Sequence, residues 1–217
     1  MTINDGFRKL RLKLTPNSVL SEIYQLAFNI HNLLERKNLT YFLGFGSAVG
    51  AIRHEGVIPW DDDMDIIITD VEEASIFNKI TKDEWNDNNI TVIKGPLNGV
   101  WDYKLLRSKS DSGMFPSCDV FVITLDKIKQ KYIFRNSNLR KTRHHVFDIS
   151  QVMHPVLTKF GNFYMRILSP SAYEYLTNEK GKYWRNIGFT KHYDHSFNQH
   201  MIPMAFEIPN SLKRINL

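Results

Sequence analysis

The chain has 217 residues, 42% of them hydrophobic and 24% charged, with a formal net charge of +5 and one cysteine, Cys118. A chain of this size and make-up can bury a sizeable core as one domain. A lone cysteine excludes an intramolecular disulfide and a multi-cysteine zinc site, and no segment approaches the roughly 18 apolar residues of a membrane span.

Taken in order, Thr15-Pro16 predicts a helix N-cap followed by proline at the first helical position. Val19, Leu20, Ile23, Leu26, Ile30, Leu33 and Leu34 then recur at helical spacing, so the helix runs to about Lys37. "TYFLGF" (Thr40 to Phe45) reads as a short buried strand, Gly46-Ser47 as a turn, and "SAVGAIRHE" as a tightly packed helix. "VIPW" is extended, because Pro59 disfavours helix in the residue before it. A strand follows over Asp63 to Thr69, then a helix in "VEEASIFNKI", then strands at Asn89 to Lys94, Trp101 to Arg107 and Cys118 to Ile123. "QKYIFRN" is one more strand, and beyond it prolines at 155, 170, 203 and 209 divide short aromatic-rich helical pieces such as "SAYEYLTNEKG". The fold class is α+β (α/β), a mixed β-sheet flanked by helices. A core over about 18–126 is followed by a helical C-terminal extension over about 127–217, all one domain.

Charge is uneven along that chain. Residues 1–126 hold 13 Lys/Arg against 18 Asp/Glu, giving −5, and residues 127–217 hold 15 against 5, giving +10. An acidic half for metal beside a basic half for phosphate fits a phosphate-processing enzyme, and a solubilised basic face fits equally. There is no RGG tract, lysine run or zinc-finger spacing, so nucleic acid is not an expected partner. "MTINDGFRKLRLKL" has no apolar core of signal-peptide length, and the expectation is a cytoplasmic protein, at most peripheral to a membrane.

The densest chemistry lies in "PWDDDMDI", where Asp61, Asp62, Asp63 and Asp65 crowd four carboxylates into five positions. Side chains alternate along a strand, so Asp63 and Asp65 share a face, about 7 Å apart at Cα from a rise of roughly 3.3 Å, and Asp62 faces away. Oxygen ligands at that spacing suit a hard divalent cation, Mg²⁺ or Mn²⁺, which relieves the repulsion. The EF-hand pattern is partly copied, but the glycine of its sixth position is Ile66 here and the segment reads as strand. Asp119 opens a second apolar strand, "CDVFVI", and converges with the pair if the two strands are neighbours. Gly46-Ser47 at a helix start offers N–H groups and a hydroxyl to a phosphate.

Gly-Ser, a D-x-D strand and a later strand aspartate together resemble the nucleotidyltransferase-fold superfamily. More narrowly, "GSAVGAIRHEGVIPWDDDMDI" is similar to the signature of the LicD/fukutin-related family, densely over Gly46–Ile66. Similarity spans about Tyr41–Ile123, with looser echoes ("RHHVFD", "KFGNF", "SPSAYEYLTNEKGKYW") to Trp184. The resemblance implies transfer of a phosphorylated alcohol, such as phosphocholine or ribitol phosphate, from a CDP-linked donor to a sugar hydroxyl of a glycan. Asp63 and Asp65 are then metal ligands, Asp61 a ligand or neighbour, and Asp119 the third acid and a candidate general base. The spacing from Gly-Ser to D-x-D is longer than in the wider superfamily, and the chain is short for an enzyme with its own acceptor-recognition elements.

Ser47 is read as a phosphate ligand or an ordinary N-cap. Arg53 is read as a donor-phosphate ligand or a partner of the aspartates, and His54 equally as structural or catalytic. Lys104 and Arg107 face either the donor or solvent, and Trp60 is expected to be buried. His192-x-x-His195, with His144, His145 and His200, has zinc-like spacing, but neither cysteine nor clear helix supports zinc. Two other functions compete: a true nucleotidyltransferase releasing pyrophosphate from a nucleoside triphosphate, and a non-catalytic metal- or nucleotide-binding module.

Overall fold

A computed structural model of the chain describes residues 2–5, 7–11, 13–95, 99–108, 116–142, 146–173, 184–190, 193–194, 199–200 and 204–209. Two strands, β1 (Thr2–Asp5) and β2 (Phe7–Arg11), pair antiparallel ahead of helix α1 (Asn17–Arg36). The apolar stripe of α1 is as its spacing predicts: Leu20, Ile23, Leu26, Ala27, Ile30, Leu33 and Leu34 are buried. Each such leucine or isoleucine contributes about 1.5–3 kcal/mol on burial, so packing rather than propensity holds the helix. Thr15 does not cap it. Pro16 is the flanking residue, and the Thr15 hydroxyl donates instead to the carbonyl of Asp61 at 2.6 Å.

Strand β3 (Phe42–Leu43) is shorter than expected, because helix α2 (Phe45–His54) already begins at Phe45. The chain turns one residue early, with Phe45 at φ 38°, so Gly46 and Ser47 lie inside the first turn of α2. Strand β4 (Met64–Thr69) leads into α3 (Asp70–Lys79), whose N-cap Thr69 accepts from Glu72 N–H at 3.1 Å. Helix α4 (Lys82–Asp87) opens on a capping box between Thr81 and Glu84. Then come β5 (Ile90–Lys94), β6 (Tyr103–Arg107), β7 (Ser117–Asp126) and β8 (Lys131–Phe134).

These strands form one mixed sheet in the order β3-β4-β7-β6-β5, with β8 pairing the far half of β7. Only β4 and β7 run parallel, in the register Met64↔Cys118 to Thr69↔Ile123, and β3/β4, β6/β7 and β5/β6 are antiparallel. Isoleucines 66, 67 and 68 of β4 and Val120 to Ile123 of β7 are buried, as expected for central strands covered on both faces.

The mixed class, a sheet flanked by helices, is the one expected, and most of the helical piece read in "SAYEYLTNEKG", residues 174–181, lies outside the described residues. Among the described residues of the C-terminal part are α5 (Ser137–Thr142), α6 (Ile149–Met153) and a 3₁₀ turn (Pro170–Tyr173). The other elements described there are strands: β9 (Val146–Asp148), β10 (Val156–Phe160), β11 (Phe163–Ile167), β12 (Ile187–Phe189), β13 (Tyr193–Asp194), β14 (Gln199–His200) and β15 (Ala205–Glu207). The β10–β11 pairing is set locally. Gly161-Asn162 closes a two-residue hairpin loop between Phe160 and Phe163, with Gly161 at φ +67°, and such a loop dictates strand pairing on either side.

Candidate functional site

The acids assemble through strand register. Asp65 on β4 lies beside Asp119 on β7 in the parallel ladder, and Asp119 lies beside Lys104 on β6 in the antiparallel one. One row across three strands therefore reads Asp65, Asp119, Lys104. Asp63 immediately precedes β4, and carboxylate oxygens of Asp63, Asp65 and Asp119 come within 4.8 Å of one another. Helix α2 and its N-cap residue Gly44 hold the Asp65 end of this row. The Ser47 hydroxyl accepts from Asp65 N–H at 2.8 Å, and Gly44 N–H donates to the Asp65 carbonyl at 3.0 Å.

A second grouping shares Asp63. Oxygens of Asp61, Asp62 and Asp63 also lie within 4.8 Å of one another, and Asp62 is buried. Asp62 therefore does not face away from the other acids. β4 begins only at Met64, so side-chain alternation does not extend back through the irregular 61–63 turn. The signal for Asp62 was the uninterrupted "DDD" itself. Burial, with Asp63 and then Asp62 adding like charge, pushes the Asp61 carboxyl well above its ordinary range. Gly46 packs against this turn, and a Cβ there would meet Asp61 Oδ2 at 2.9 Å.

An all-carboxylate donor set fits a hard divalent cation such as Mg²⁺ or Mn²⁺. Cys118, next to Asp119, has its thiol pushed well up by burial first, then by Asp119 and Asp65.

The remaining candidates divide. Lys104 joins the row, its Nζ 2.5 Å from Asp119 Oδ1. Arg107 does not, and sits 3.7 Å from Glu22 on α1 instead. Arg53 directs Nη1 to the carbonyls of Trp184 (3.1 Å) and Ile187 (3.2 Å) and Nε to His54 Nε2 (2.9 Å). Burial lowers its pKa to about 10, with Asp61 pulling the other way. His54 is buried, accepts that bond through Nε2 and meets Trp60 edge-on at 5.5 Å. Trp60 is buried as expected and donates to the Phe189 carbonyl at 2.8 Å. Lys159 pairs with Glu55 at 3.1 Å and Asp148 with Lys131 at 2.8 Å, both away from the acids. His144, His145, His192 and His195 lie outside the described residues, and of His200 only the backbone is described.

Among the described residues, no helix is long and apolar enough to cross a membrane. Comparison with known proteins places the geometry in context. A protein of Rickettsia prowazekii, named as uncharacterized, is 28% identical over 151 residues, covering 69% of this chain and 50% of its own length. One of Rickettsia typhi, likewise named as uncharacterized, is 40% identical over 73 residues, 34% of this chain and 23% of its own. The lipopolysaccharide cholinephosphotransferase LicD of Haemophilus influenzae is 58% identical over 36 residues, 17% of this chain and 14% of its own. The chain thus spans half or less of the length of these relatives. The model of the LicD/FKTN/FKRP nucleotidyltransferase domain matches residues 38–167, which include α2, the acidic turn, β4, β6 and β7, and the chain belongs to that family.

Proposed function

We propose that the protein is a metal-dependent transferase that moves a phosphorylated alcohol, phosphocholine or a ribitol-phosphate-like group, from a CDP-linked donor to a sugar hydroxyl of a glycan. The observation that carries this reading is the Asp65↔Asp119 register, which brings two strand carboxylates and Asp63 to one point in a chain of the LicD family. The match to a named cholinephosphotransferase, although short, supports the class of group transferred.

Asp63, Asp65 and Asp119 would hold Mg²⁺ or Mn²⁺, with Asp61 and Asp62 alongside. When bound, the cation supplies neutralising charge and Lewis acidity at the donor diphosphate. The chain's own groups do the rest. The first turn of α2 presents N–H groups beside the acids for a phosphate oxygen. The acceptor oxygen forms a new bond to the phosphorus that carries the alcohol, the bridging P–O bond breaks, and CMP leaves. The hydroxyl proton passes to a carboxylate of the cluster, for which Asp119 is the candidate. A cytoplasmic location, with contact at most peripheral to a membrane bearing the glycan, goes with this reading.

Incubation with Mn²⁺ and either CDP-choline or CTP, followed by identification of the leaving group, tests the proposal. CMP from CDP-choline is expected, and pyrophosphate from CTP would assign a true nucleotidyltransferase instead. Binding of both nucleotides without turnover would leave a non-catalytic module. Asp63→Asn, Asp65→Asn and Asp119→Asn should each lower CMP release on the order of 100-fold or more. Release at the parent rate in all three would sink the assignment of these acids.

A further inference from the structure

Resting on the metal reading above and extending it, we propose that Lys104 is a resident counter-cation of the acidic cluster. It is a positioning residue that competes with the divalent ion for Asp119, and it does not bind the donor. The register pairs Lys104 with Asp119 across neighbouring strands, and Nζ lies 2.5 Å from Asp119 Oδ1. The ammonium also donates to Ser117 Oγ at 3.0 Å and sits 5.2 Å from the centre of the Trp101 ring. Anion, hydroxyl and aromatic face are three partners that a lysine head accepts at once. The residue is only 6% exposed, so its head is packed into the strand row.

The physical need for such a charge is plain. Asp119 is itself only 9% exposed, and Asp63 and Asp65 place two more carboxylates within 4.8 Å of it. A desolvated carboxylate among like charges is costly unless an opposite charge meets it. Lys104 provides that charge before any cation arrives. A divalent ion entering the row is then repelled by the ammonium while the carboxylates attract it. Removing the ammonium should therefore tighten cation binding, the opposite of what loss of an ordinary structural residue would do.

The test is Mn²⁺ affinity of the full chain, read by electron paramagnetic resonance of the free ion, for the parent, Lys104→Met, Lys104→Arg and Lys129→Met. Lys104→Met should bind Mn²⁺ about tenfold tighter or more, as Coulomb attraction at this range implies. Lys104→Arg and the exposed control Lys129→Met should stay within about twofold of the parent. At saturating Mn²⁺, CDP-choline affinity of Lys104→Met should also stay within about twofold. Unchanged or weaker Mn²⁺ binding in Lys104→Met overturns the proposal, and so does a tenfold loss of CDP-choline affinity, which would make Lys104 a donor ligand. If the parent itself takes up no Mn²⁺, the metal reading fails at its root and this proposal with it. Lys104→Gln, which keeps a polar head without charge, serves if Lys104→Met does not melt cooperatively.

Discussion

His31, on the partly buried side of α1, places Nδ1 2.8 Å from the Tyr41 hydroxyl and 4.0 Å from Glu35 Oε1. Burial is the largest influence on it and holds its pKa below 6.5. Glu35 pulls the value up, and Arg166, paired with Glu35 at 2.5 Å, pulls it down. With the folded value depressed, the unfolded chain binds the extra proton first. Stability is therefore complete above the unfolded value of about 6.5 and is lost as pH falls through the lower folded value. Melting of the parent and of His31→Gln between pH 8 and 5 checks this, and the parent should show the steeper loss on acidification. Parallel curves would place the acid limb elsewhere. At this same scale, identity told much about the acids but little about the cations. Asp63, Asp65 and Asp119 are legible because carboxylates opening apolar strands have few other uses. Lys104 and Arg107 look alike in sequence, and only cross-strand register separates the lysine facing Asp119 from the arginine facing Glu22.

Helix α2 is held by close backbone approach, and Gly50 is where that matters most. A Cβ there would sit 2.5 Å from the Gly56 carbonyl oxygen and 3.1 Å from Ile58 N, both backbone atoms that cannot rotate aside. Gly→Ala in a helix gains up to about 1 kcal/mol from propensity. Overpacking a rigid site costs about 1–3 kcal/mol, and contact this short lies at the upper end. The clash wins, so Gly50→Ala should lose about 2 kcal/mol, roughly 4–8 °C in Tm for a chain of this size. A rise in Tm on scanning calorimetry would show that the Gly56 turn yields. Helix α4 was legible without having been read. "TKDE" carries the Thr81–Glu84 capping box, a start signal independent of hydrophobic period. The β10–β11 hairpin was likewise announced by "FGNF", where the glycine at positive φ sets the turn.

Across the whole molecule, two side chains of the signature segment hold a part of the chain beyond residues 38–167, the span of the family match. Arg53 reaches the carbonyls of Trp184 and Ile187, and Trp60 reaches that of Phe189. Phe206 packs edge-on against Trp60 at 4.8 Å, and a Cβ on Gly188 would meet Phe206 at 2.6 Å and Trp60 at 2.8 Å. The β12–β15 pair is therefore docked on the turn that carries the aspartates. Arg53→Met should cost about 2–3 kcal/mol, since bonds from a charged donor are among the stronger ones. It should speed amide exchange over 184–190 while β4 and β7 stay protected. Exchange there at the parent rate would mean that Trp60 alone holds the segment.

By itself the sequence determined the helix α1 stripe, the strands β4 to β8, the identity of the acids and the family. The elements and the acids follow from hydrophobic period, or from residue types whose burial or crowding has few alternative explanations, and the family from the resemblance of the Gly46–Ile66 signature. Tertiary structure alone decided that Asp119 neighbours Asp65, that Asp62 turns inward, and that Lys104 meets the third acid. It also decided that Arg53 binds backbone carbonyls and that β12 pairs with the distant β15. Strand order and register are long-range choices, made when the isoleucines of β4 bury between β3 and β7, and no local pattern in the chain encodes which strands will be neighbours.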